Sequence, residues 1–130
     1  MAVYAESAGP SDILAALRAG RSFITYSPEG PTVEMSAGEA SLGGCVRWAE
    51  VREVRLEVRR LEAGDVVRAV TGRGSEVLFT AATSGSGSVS YRMEAPGFVR
   101  VEVLRVFVPG TPAVPAAVTN PIWFEGEEPA

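Results

Sequence analysis

The side chains that carry most hydrolytic and metal chemistry are scarce in this chain. Among its 130 residues there is no histidine, no lysine and a single cysteine, Cys45. Nucleophilic catalysis by Ser, Thr or Cys needs an adjacent base, and neither an imidazole nor an amine side chain is present to serve. Cys45 follows Gly43-Gly44, a pair that can present a thiol on a turn. A reactive thiolate still needs its pKa lowered by His or a helix N-terminus, and the neighbouring residues offer neither, so Cys45 reads as structural. One Cys also excludes an internal disulfide and a Cys-based zinc site. Carboxylates remain, and they suit hard ions such as calcium or magnesium. Their densest run, Glu125, Glu127 and Glu128, has no Asp-x-Asp-x-Asp loop ahead of it and reads as a frayed, solubilising tail over 125–130. Paired acids can hydrolyse glycosides. Here Glu53/Glu57 and Glu94/Glu102 alternate with Arg, the pattern of a solvated sheet face. Gly72-Arg73-Gly74 lacks the Lys-Ser/Thr and the helix that complete a phosphate-binding loop, and reads as a hairpin turn. The chain is therefore expected to hold no catalytic residue, no metal ligand set and no cofactor.

Charge narrows the partners. All 12 cations are Arg, set against 16 acids, for a net charge of −4 and a pI near 4.9. Arg without Lys, alongside abundant Ala, Gly, Val and Glu, fits the composition of a GC-rich genome. Arg52, Arg55, Arg59 and Arg60 are interleaved with Glu, so no basic stripe exists to release counterions from nucleic acid. No apolar run approaches the roughly 18 residues of a membrane span. Met1-Ala2-Val3-Tyr4 does not look like a signal peptide, and a cytoplasmic location is expected. The surviving functional lead is aromatic: Trp48, Tyr26, Tyr91 and Trp123, placed together, would make a patch for stacking a sugar or docking a protein.

Whatever these residues do, short strands must position them. Ser11 to Ala19 reads as a helix, with Pro10 and Ser11 as its start, Ser11 as N-cap, and Gly20 as a left-handed C-cap. Ile13, Leu14, Ala16 and Leu17 share one face. About three turns cannot stand alone in water, so the helix must dock on something. From Ser22 the period becomes alternating: 22–26, 32–36, 53–60, 66–70, 76–80, 89–93 and 98–108 read as strands, and 116–118 with 122–124 as a final strand broken by Asn120-Pro121. In 53–60, Val54, Leu56 and Val58 oppose Glu53, Arg55, Glu57 and Arg59, the mark of a half-buried antiparallel strand. Thr83 to Ser88 reads as a mobile hairpin loop. In 98–108, Val99, Val101 and Val103 share a face with Arg105, while Leu104, Val106 and Val108 share the other with Arg100 and Glu102. One phase cannot bury both sets, so a bulge or sharp twist near Val103-Leu104 is expected to switch it. About seven to nine short strands at regular intervals, with one N-terminal helix, predict a mainly β, antiparallel, immunoglobulin-like sandwich in a single domain.

Both ends of the chain carry a resemblance. Tyr4-Ala5-Glu6, the run from Ile13 through Leu17-Arg18-Ala19-Gly20-Arg21-Ser22-Phe23-Ile24-Thr25, then Gly30-Pro31, and the closing Thr119-Asn120-Pro121-Ile122-Trp123 are similar to the C-terminal region of PHP (polymerase and histidinol phosphatase) superfamily metallohydrolases of the CehA/McbA type. The resemblance implies that residues 1–30 lead in, by helix and strand, from a catalytic barrel, and that 31–124 form an accessory sandwich. It implies a parent that is a cytosolic, metal-dependent hydrolase or phosphoesterase, with divalent metals bound by His, Asp and Glu on barrel strands that this chain lacks. The partner would be that N-terminal PHP domain in cis, and the seam would involve Leu14, Arg18, Arg21, Asn120 and Trp123. Two rival readings follow from the residues alone: a free-standing binding module built on the aromatic patch, and a small enzyme using two converging carboxylates.

Overall fold

A computed structural model describes residues 2–3, 9–18, 20, 22–27 and 29–126. Among these, one helix, α1 (Pro10–Arg18), precedes a two-layer sandwich of short strands, apart from β1 (Ala2–Val3). In chain order the others are β2 (Ser22–Thr25), β3 (Thr32–Ala37), β4 (Ala40–Ser41), β5 (Cys45–Arg47), β6 (Glu53–Leu61) and β7 (Val66–Thr71). They continue with β8 (Gly74–Thr80), β9 (Gly85–Arg92), β10 (Gly97–Arg105), β11 (Val114–Thr119) and β12 (Ile122–Glu125). One layer is a four-stranded sheet in the order β4-β3-β6-β9. The other has eight strands centred on β10, which pairs β7 along one side and both β11 and β12 along the other. Every pairing is antiparallel except β12 with β5.

The alternation in the sequence builds the core directly. Val54, Leu56 and Val58 of β6 and Val33 and Met35 of β3 face Val99, Val101 and Val103 of β10 and Val67 of β7, all buried. Each such side chain contributes about 1.5–3 kcal/mol on leaving water. Trp48 closes the core at one end, buried, with its indole N–H donating to the Met93 carbonyl at 3.1 Å. The expected aromatic patch therefore loses Trp48 to the core.

Several local expectations change. The Ile13 N–H donates to the Gly9 carbonyl, so Gly9 takes the N-cap position, Pro10 opens the helix, where its missing N–H costs nothing, and Ser11 lies inside the first turn. The stretch 85–88 is no loop: it pairs with β6 as the start of β9. The strand 22–25 pairs β11 within the eight-stranded sheet.

The puzzle in β10 resolves in an unexpected way. Its register with β11 does shift at Val103/Leu104, from Val103↔Ala117 to Leu104↔Pro115. The extra residue, Ala116, sits on β11, and β10 pairs β7 without interruption from Val99↔Thr71 to Leu104↔Val66. The phase of β10 is unchanged, so Arg105 follows Val99, Val101 and Val103 inward and is 4% exposed. It is tolerated because Asp65, itself 1% exposed, meets it at 2.7 Å. Val106, Phe107 and Val108 are left outside on the β10–β11 loop.

Candidate functional site

Two polar clusters and one sheet face stand out. The first cluster surrounds Arg105. Its Nε donates to Asp65 Oδ1 at 3.0 Å, its Nη1 to the Tyr26 hydroxyl at 3.0 Å, and its Nη2 to the Arg60 carbonyl at 3.2 Å. The hydrogen bonds that the guanidinium donates to Asp65 hold it above its ordinary pKa against the opposing pull of burial, with Glu62 and Tyr26 assisting. Asp65 also accepts from the Glu62 N–H at 2.8 Å. The unit pins the β6–β7 turn to the end of β10. It also holds Arg60, at φ 60° the one described non-glycine residue with positive φ, in a conformation that costs about 1–3 kcal/mol. Each guanidinium nitrogen of Arg105 has an acceptor within the protein, so the unit works as a structural rivet.

The second cluster lies on the outer face of the eight-stranded sheet. Glu102, expected in a solvated face, is 6% exposed between Arg68 and Arg100. Arg68 Nε donates to its Oε2 at 2.8 Å and Arg100 Nη1 to its Oε1. Burial is the largest single influence on this carboxyl and raises its pKa; the hydrogen bonds and charges of Arg100 and Arg68 together outweigh it and hold the pKa below the usual value.

The registers place Glu102 at the centre of one row crossing five strands: Val77, Arg68, Glu102, Val118 and Ile24. Val77 and Ile24 at the ends are 59% and 60% exposed. A parallel row sets Phe98 beside Trp123 and Trp123 beside Cys45. Trp123 is 48% exposed, its ring centroid 5.7 Å from that of Phe98. Val66, Val70 and Leu104, half-buried, fill the same face. The outer face of the four-stranded sheet is the opposite: Ser41–Ser36–Arg55–Ser90 form one row and Glu34–Glu57–Ser88 the next. A sandwich in water ordinarily keeps both outer faces polar. Here one is polar, and the other mixes exposed apolar side chains with a net positive triad, with Ser75 and Thr80 on β8 and with Arg47 beside Glu125 at the far end.

The sites expected from sequence separate accordingly. Asn120 donates through Nδ2 to the Gly20 carbonyl at 3.2 Å, joining the helix exit to the start of β12 across 100 residues. Gly20 has φ 74°, and a Cβ there would lie 2.8 Å from Gly43 Cα. Gly43 in turn donates to the Pro121 carbonyl at 2.9 Å. The two ends that carry the family resemblance thus meet in space, and Asn120 serves as an internal tie. Trp123 lies on the apolar face. Leu14, 52% exposed, and Arg18, exposed, sit on α1, which leans on β1. Arg21 lies outside the described residues, as do Glu127 and Glu128 of the tail. The four aromatics do not converge. Tyr26 packs edge-on to Phe107 at 4.9 Å, Tyr91 is half-buried against the core, and Trp123 is exposed beside Phe98. Cys45 is exposed on β5. No group of three metal-ligating side chains occurs among the described residues, and no described helix is long and apolar enough to cross a membrane. Ile24, Val77 and Phe98 were not singled out from sequence; only the cross-strand registers assemble them into one face. No family model, curated protein or solved structure matches the chain.

Proposed function

We propose that this chain is a non-catalytic accessory domain that packs, through the outer face of its eight-stranded sheet, against a PHP-type, metal-dependent hydrolase or phosphoesterase domain joined ahead of it in cis. One observation carries the reading: the row Val77–Arg68–Glu102–Val118–Ile24, with Trp123 and Phe98 beside it, is apolar at its ends where the opposite sheet is uniformly polar. An apolar sheet face is stable in water only when another layer covers it. The Arg68–Glu102–Arg100 triad fixes orientation within that layer, since a partner laid across it must leave the guanidiniums satisfied. The absence of His from the whole sequence agrees with a division of labour in which divalent metals and catalysis belong to the partner.

Two measurements test this. Pure chain supplied with Mn2+ or Zn2+ is expected to leave p-nitrophenyl phosphate intact; turnover overturns the reading. Acrylamide is expected to quench Trp123 and spare Trp48 in the chain alone, and to spare both in the protein that carries the hydrolase domain. Equal quenching of Trp123 in the two forms would remove the proposed seam.

A further inference from the structure

A different surface, on the flank of the four-stranded sheet, points to self-association. Sheet edges expose unpaired N–H and C=O groups, and proteins protect them by keeping edge strands short, bulging them, or placing charge or Pro on them. Among the described residues the edges of this sandwich are β1, β5 and β8 in one sheet and β4 and β9 in the other. Three of them are two or three residues long: β1, β4 and β5. β8 carries Glu76, and its register with β7 slips at Val67/Arg68, leaving Leu78 as an extra residue. β9 has a register shift with β6 only at its Gly85 end, between Val58 and Leu61, and a charge only at its last residue, Arg92, so its middle carries none of these devices. From Gly87 to Arg92 it pairs β6 in unbroken register, with no Pro and no charge before Arg92.

The free hydrogen-bonding groups of that edge can be assigned. The Met93 N–H donates to the Arg52 carbonyl at 2.7 Å, continuing the β6–β9 pairing by one residue. Backbone direction alternates along a strand. The N–H and C=O of Tyr91, Val89 and Gly87 therefore face β6, and those of Ser88, Ser90 and Arg92 face outward. Any strand added here must present apolar side chains on the core side, beside half-buried Val89 and Tyr91, and small polar ones beside Ser88 and Ser90.

The geometry points to a second copy of β9 as that strand, so that two chains pair antiparallel, edge to edge, into a continuous eight-stranded sheet about a two-fold axis. β9 itself has the required alternation. Centring the axis on Ser90 sets Ser90 opposite its mate as a hydrogen-bonded pair and Ser88 opposite Arg92. It also places Val89 opposite Tyr91 twice, in non-hydrogen-bonded pairs where side chains approach closest and an aromatic–β-branched pair is favourable. No like charges face each other in this register. The contact lies on the flank of the sandwich, independent of the apolar face of the other sheet.

Sedimentation analysis of the intact chain tests the pairing, with Ser90→Pro and Ser90→Lys as variants. Ser90 gives no backbone N–H to β6, so Pro at this edge position removes only the outward donor; Lys places two like charges at the axis. The wild type is expected to dimerise reversibly by about 100 µM, both variants to remain monomeric with unchanged circular dichroism, and amide exchange at Ser88, Ser90 and Arg92 to slow as concentration rises. A wild type that stays monomeric at that concentration overturns the inference and leaves the edge to some other extended chain. A dimer that survives both variants, or amides at these three positions that exchange equally fast at all concentrations, overturns it in favour of another surface.

Discussion

Removing the carboxylate of Asp65 should unfold this sandwich more readily than any surface change. Asp65→Ala strands the Arg105 guanidinium at 4% exposure without the bonds at 2.7 and 3.0 Å, and frees the Glu62 N–H as well. Breaking one side of a buried pair costs about 3–5 kcal/mol, because the remaining charge cannot be solvated in place. For a domain of this size that corresponds to a fall in Tm of roughly 10–20 °C. The cost comes from the orphaned charge, so removing both partners should recover most of it: Asp65→Leu with Arg105→Met is expected within about 2 kcal/mol of wild type. Thermal and urea unfolding of Asp65→Leu, Arg105→Met and the double variant give the coupling directly. Salt adds a second arm, since screening weakens exposed pairs far more than buried ones. If Asp65→Ala shifts Tm by less than about 3 °C, or if the double variant is as unstable as the singles, Arg105 is not riveted as described.

Three further outcomes follow. Glu102 has its pKa held below the ordinary 4.5, so its contribution to stability is fully present above that value and is lost as pH falls through the lowered one. Glu102→Gln should therefore flatten the acid limb of a Tm-against-pH series below about pH 4.5 while leaving its neutral part unchanged in slope. Gly20→Ala meets both a φ of 74° and a Gly43 Cα at 2.8 Å, and should cost about 2 kcal/mol or more in chemical denaturation. Ile24→Asp, at 60% exposure, should leave the stability of the chain alone within about 0.5 kcal/mol; if the proposed hydrolase domain covers this face, the joined protein alone should lose thermal stability.

The legible parts of the fold were those where side-chain type and backbone period agree. The alternation from Glu53 to Arg60 locates β6 and its buried face almost to the residue. Pro10 and Gly20 bracket α1, and Gly72-Arg73 makes the turn between β7 and β8. Period fails where a polar residue takes a core position. Arg105 reads as outward on β10 because its partner, Asp65, lies 40 residues earlier in a turn, and no local pattern joins them. Gly85 to Ser88 reads as a loop because small residues carry no alternation, although the backbone pairs with β6 all the same. The two-residue β4 and three-residue β5 are too short for any periodicity. Of the expected seam, Trp123 and Asn120 come out at defined places, one on the apolar face and one inside as a tie. Ile24, Val77 and Phe98 share that face only through registers linking strands far apart in sequence, which is why sequence alone does not gather them.

Whether this sandwich is one layer of a larger hydrolase, as proposed, is decided most simply by the genomic reading frame immediately upstream of the Met1 codon. An open frame of about two hundred codons encoding His-x-His and further His and Asp clusters is expected. A ribosome-binding site with an in-frame stop just ahead of Met1 would contradict it, and the apolar face would then need a partner supplied in trans.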